Sequence, residues 1–185
     1  MAQRELRLCV SRRTVVCTFA SPALWACQAM ANPIGMSLLF QNKGSFGIGV
    51  RRFDPDGHRG PVPGALGPGG GGAQMSFMPG DSNRPVPRFV EITWWQETLE
   101  SIELQKSVEM PKGSISKEIW ADFLRRQDEV RAKGLTFHRT VDLTSVITPA
   151  LLAEVRSNPR GTNLKLLVLF GNGNVTIKAL AEKWR

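Results

Sequence analysis

The sequence predicts an α+β protein. A small C-terminal domain, built of two amphipathic helices plus a short strand or hairpin unit, follows a long irregular N-terminal arm with room for one membrane-embedded helix. Three observations carry this expectation. The stretch Gly57–Arg88 holds nine glycines and six prolines in thirty-two positions, a composition that opposes helix and central strand alike. Residues 1–53 carry seven Lys or Arg against the single acid Glu5, whereas residues 54–185 carry seventeen bases and fifteen acids. Clear apolar periodicity begins only after Arg88. The boundaries drawn from these shifts are a basic arm at 1–53, an extended Pro/Gly linker at 54–88 and a folded domain at 89–185.

The arm opens on an Arg-rich segment, with Arg4, Arg7, Arg12 and Arg13, and then carries no charge from Thr14 to Asn42. A run of that length exceeds the roughly 20 apolar residues that cross a bilayer. Pro22, Gln28, Asn32, Pro33 and Ser37 interrupt it. A mitochondrial targeting segment, a membrane-embedded helix and an arm buried in a protein partner all fit the run. Gly44 to Arg52 is expected to lie extended. Asp54-Pro55-Asp56-Gly57 reads as a tight turn, and no regular structure is expected from there to Arg88.

The first helix is expected over approximately Val90–Glu109, from Ile92, Trp95, Leu99, Ile102 and Val108 at near-helical spacing. The second is expected over Lys117–Lys133, capped by Ser116, favoured by Glu118 in its first turn and stopped by Gly134. A short Pro-Gly turn between them implies antiparallel packing. Leu135–Val141 alternates as a strand does, and Thr148-Pro149 starts a short helix to about Val155. Leu164–Phe170 is the strongest strand pattern. The GNGN turn then leads into Val175–Arg185, where VTIK favours strand and ALAEKW favours helix.

Sites of chemistry are sparse. Cys9, Cys17 and Cys27 are odd in number and match no zinc spacing. Cys17 and Cys27 give only half of a twin C-x9-C hairpin. GNGN lacks the third glycine and the downstream acid of a dinucleotide fingerprint, so a turn needing positive φ explains it. GGAQ at 71–74 is accounted for as flexible linker. Asp54 and Asp56 fail as an EF-hand start, because the twelfth position is Ala65. His138 has Asp142 four residues on, the makings of an oriented imidazole, yet no nucleophile motif accompanies it. The reading is therefore no enzyme, with no catalytic residue, cofactor or metal ligand assigned.

What remains is contact. Arg4, Arg7, Arg12, Arg13, Arg51 and Arg52 are the candidates for a partner, phosphate or lipid headgroup. Trp94, Trp95 and Trp120 are the candidate docking surface, since the surrounding Glu91, Glu97, Glu100 and Glu103 would repel nucleic acid. The organisation resembles that of accessory subunits of large mitochondrial assemblies, whose extensions wrap their neighbours. The functional expectation is an accessory, non-catalytic structural subunit of a mitochondrial inner-membrane complex, either a respiratory complex or ATP synthase. It would be peripheral or single-span, with neighbouring subunits and membrane lipid as partners. The rival is a mitochondrial ribosomal protein threading its basic arm through rRNA. A small soluble enzyme or binding module is the weaker third.

Overall fold

The computed structural model describes residues 34–77 and 86–183. Arg4, Arg7, Arg12, Arg13, the three cysteines and residues 14–33 of the uncharged run lie outside them. Within the described residues the chain is mixed α and β, mostly β, with three helices and two four-stranded sheets.

One sheet has the order β4-β1-β7-β8, from Gly72–Phe77, Met36–Asn42, Thr162–Phe170 and Val175–Lys183. The β1–β7 pair is parallel and its other pairs are antiparallel. The second sheet is antiparallel throughout, in the order β3-β2-β5-β6, from Gly64–Leu66, Ile48–Pro55, Phe89–Gln96 and Leu135–Asp142. Alternation aims one face of each strand at the other sheet. Leu38 and Phe40 of β1 and Leu164, Leu166, Val168 and Phe170 of β7 meet Val50, Phe53, Val90, Ile92 and Trp94 in one shared core. The rings of Phe40 and Phe53 touch edge to face at 5.1 Å, and those of Trp94 and Phe170 at 5.5 Å.

Several expectations are corrected here. Residues 36–42, the end of the uncharged run, are a strand with neighbours on both sides, so the run does not cross a bilayer as one piece. No helix among the described residues is long and apolar enough to cross a membrane. The expected linker contains β3 and β4, and the core draws on residues from both sides of position 89. Phe89–Gln96 is a strand rather than the start of a helix. Val90, Ile92, Trp94 and Gln96 are buried and alternate with more exposed neighbours, and β-branched and aromatic residues favour that pleated surface. The first helix, α1, is only Leu99–Lys106. Thr98 accepts from the Ser101 amide and Ser101 accepts from the Thr98 amide, a reciprocal cap that fixes where it begins.

Other elements match the sequence pattern. The second helix, α2, is Lys117–Ala132 with Ser116 as its N-cap, and the third, α3, is Pro149–Ser157 with Thr148 as cap. Thr98 Oγ1 donates to Lys133 O, so the start of α1 lies beside the end of α2, as antiparallel packing requires. The chain after GNGN is a hairpin strand, with Gly173 at φ 72° in the turn. The turn expected at Asp54–Gly57 falls one residue later, at Pro55–His58, because Asp54 and Pro55 still pair with β5. Asp56 and Gly57 both have positive φ, and His58 N donates to Pro55 O.

The glycine-rich stretch is held by Asn42, which is fully buried at the end of β1. Its amide donates to Phe46 O at 2.7 Å, Gly67 O at 3.0 Å and Leu66 O at 3.3 Å, while its carbonyl accepts from Gly44 N. Gly70 N donates back to Asn42 O. Gly71 admits no side chain, because a Cβ would lie 2.6 Å from Gly67 O. Asn42 thus joins the crossover between the sheets to the turn that leads into β4.

Candidate functional site

The second sheet positions the site. Between Val50 and Arg52 the β2–β5 register shifts by a bulge. The extra residue lets Val50 and Phe53 both face the core while Arg51 and Arg52 both face outward. Arg52 is engaged: its guanidinium pairs with Asp54 at 2.5 Å and with Glu91 at 3.0 Å. Those two carboxylates raise its pKa, Asp54 most. Arg51 makes no hydrogen bond or ion pair among the described residues.

The tryptophans separate. Trp94 is 0% exposed and packed between Phe137 and Phe170. It is therefore core, which corrects its expected place on a docking surface. Trp95, the next residue, must point to the opposite face of the sheet. Its Nε1 donates to Arg131 O at 2.8 Å, and its ring edge lies against Gly134, where a Cβ would come within 2.0 Å of Nε1. The ring is thus fixed from two sides.

Trp120 belongs to α2. On that helix Ile119, Trp120 and Leu124 are 52%, 43% and 43% exposed, with Phe123 half-buried and stacked obliquely on Trp120 at 5.3 Å. Successive fourfold steps put these residues on one side of the helix. Further along that side Val130 is buried. The C-terminal half of the apolar face therefore packs on the body, and the N-terminal half projects from it. Charged residues on the remaining surface neutralise one another. Arg125 pairs with Asp122 and Glu129, Arg126 with Asp122, and Arg131 with Asp128. The Arg125 hydrogen bond and the nearby Arg126 hold the Asp122 carboxyl below its usual range.

Between the C-terminal half of α2 and the β2–β3 edge lies a cleft of about 800 Å³. Gly47–Arg51 and Gly64–Pro68 form one wall, Ser101 and Gln105 of α1 with Gln127, Asp128 and Arg131 of α2 form the other, and Trp95 and Thr136 lie between them. Glu97 at the rim accepts a hydrogen bond from Gly47 N. Of the candidate contact residues assigned from the sequence, Arg51 and Trp95 reach this cleft.

His138 and Asp142 do not cooperate. They occupy the same strand four residues apart; the imidazole Nδ1 lies 3.1 Å from Thr93 Oγ1, and the carboxylate accepts from the Thr144 amide and hydroxyl. These Thr144 hydrogen bonds depress the Asp142 pKa. No group of three or more His, Cys, Asp or Glu among the described residues is placed to hold a metal. On the outer face of the first sheet, Ser37 donates to Glu182 at 2.6 Å and Lys165 pairs with the same carboxylate. These two contacts lower the Glu182 pKa and tie β1, β7 and β8 together. No known protein family, curated protein or solved structure matches this chain.

Proposed function

We propose that this protein is an accessory, non-catalytic subunit of a multiprotein assembly and that it docks on a neighbouring subunit through the projecting face of α2. The observation that carries the proposal is the exposure of Ile119, Trp120 and Leu124 on one side of that helix. Large apolar side chains grouped on one surface favour a partner's groove over water, and anchors at helical spacing are how an amphipathic helix is read by such a groove. The self-neutralised charges around them add no electrostatic preference.

The assembly we propose is one of the mitochondrial inner membrane, a respiratory-chain complex or ATP synthase. Supporting this are the Arg-rich, acid-poor start and the absence of charge from Thr14 up to β1. The rRNA reading has less support, because Arg52, one of its six arginines, is committed to Asp54 and Glu91. The test is native-gel separation of mild-detergent mitochondrial extracts for wild type and for Trp120→Glu/Leu124→Glu. Co-migration of the wild type with a respiratory or ATP synthase band, lost in the double variant, is expected. Sedimentation with rRNA or absence from mitochondria would overturn the assignment.

A further inference from the structure

The cleft beside Trp95 has a chemistry of its own, which does not depend on the assembly. Its ionisable groups are Arg51, Arg131, Glu97 and Asp128, two of each sign, so net charge selects neither an anion nor a cation. Trp95 is its one aromatic residue. Because the indole N–H is already bonded to Arg131 O, the ring offers an apolar surface and no donor. Gly49, next to Trp95 across the β2–β5 pair, has nothing within 4 Å of where a Cβ would stand, which leaves room over the strand. The Gln105 and Gln127 amides and the Arg51 guanidinium have no partner among the described residues. They supply donors and acceptors together on the amides, and donors alone on the arginine.

A rigid aromatic surface flanked by uncommitted amides, with no net charge, suits a ring that has apolar C–H faces and a hydroxyl periphery. A proline-rich peptide is a poorer fit, since its grooves are lined by several aromatic residues. We propose that the cleft binds a neutral oligosaccharide, with one pyranose ring on Trp95 and its hydroxyls bonded to Gln105, Gln127 and Arg51. The volume of about 800 Å³ falls within the range of small-ligand sites.

The experiment is calorimetric titration of the full chain with maltohexaose, cellohexaose and chitohexaose, with decaproline and a heparin hexasaccharide as probes of other classes. Saturable binding of at least one neutral hexasaccharide is expected, weakened about tenfold or more by Trp95→Ala, which corresponds to about 1.4 kcal/mol. Gln127→Ala, on the surface of a helix that keeps its cap, should weaken it about threefold with an unchanged urea midpoint. That variant decides the matter if Trp95→Ala does not fold. Lack of saturation by every neutral sugar at about 5 mM would overturn the proposal. So would binding of decaproline or heparin alone, or neutral-sugar binding unchanged by the variant that folds.

Discussion

Replacing Gly134 by alanine isolates the contact that fixes Trp95. Gly134 is not among the positive-φ glycines, so the new methyl introduces no backbone strain of its own. It would sit 2.0 Å from Trp95 Nε1 and 2.2 Å from Cε2, whereas ordinary van der Waals contact begins near 3.4 Å. If the backbone holds, the ring must retreat by about 1.4 Å, which breaks the 2.8 Å bond to Arg131 O. The lost hydrogen bond is worth about 1 kcal/mol, and forcing a methyl into packed space costs about 1–3 kcal/mol. Reduced freedom of the unfolded chain offsets about 0.4–1 kcal/mol. The expected net destabilisation is about 2 kcal/mol, read as a lower urea midpoint at unchanged slope. Gly49→Ala is the control, because open space surrounds that position; it should move stability by no more than about 0.5 kcal/mol. In a Trp95→Leu background most of the Gly134→Ala penalty should disappear, a coupling that a double-mutant cycle reads directly. A Gly134→Ala protein within about 0.5 kcal/mol of wild type, or a penalty that persists without the indole, would refute the reasoning.

Other consequences follow from the same geometry. Asn42→Asp should destabilise by about 3 kcal/mol or more, since it exchanges the amide donors for a buried carboxylate facing three carbonyls; an unchanged thermal midpoint would contradict this. The folded-state pKa of Glu182 is lowered by Lys165 and Ser37, so its stabilisation is present above the unfolded value near 4.5 and is lost as pH falls through the folded value. Glu182→Gln should flatten the stability–pH curve in that acidic window and cost about 1 kcal/mol at neutral pH; a slope identical to wild type in urea melts from pH 5 down to pH 3 would count against it. Trp120→Glu should destabilise by no more than about 1 kcal/mol in urea melts, because a 43% exposed side chain loses chiefly its stack on Phe123. A large loss of stability would instead mean that this face is packed.

Much of the fold was legible where the signal is local. Ser116 before α2, Thr148-Pro149 before α3, Gly134 after α2 and the alternation of Leu135–Val141 each report a conformation set by nearby backbone groups. The stretch 89–96 was not legible in this way. Ile92, Trp95, Leu99 and Ile102 share a helical spacing, while Val90, Ile92, Trp94 and Gln96 share a spacing of two; pairing with β2 on one side and β6 on the other selects the second. That choice also separates the two tryptophans, since adjacent residues of a strand face opposite sides and those of a helix do not.

Composition by itself determined that the stretch from Gly57 to Arg88 could not be helical and that the chain's positive charge gathers at its start. The spacing of Ile119, Trp120, Phe123 and Leu124 also placed Trp120 on an amphipathic helix. Only the tertiary structure decided that Gly72–Phe77 would pair as β4 against β1, that Trp94 would be core and Trp95 surface, and that Arg51 would share a cleft with Gln127, seventy-six positions later. Glycine permits many backbone conformations and specifies none. Pairing with β1 extends Gly72, and bonds to Asn42 hold the turn at Gly67–Gly71; those partners lie roughly thirty residues away in the chain.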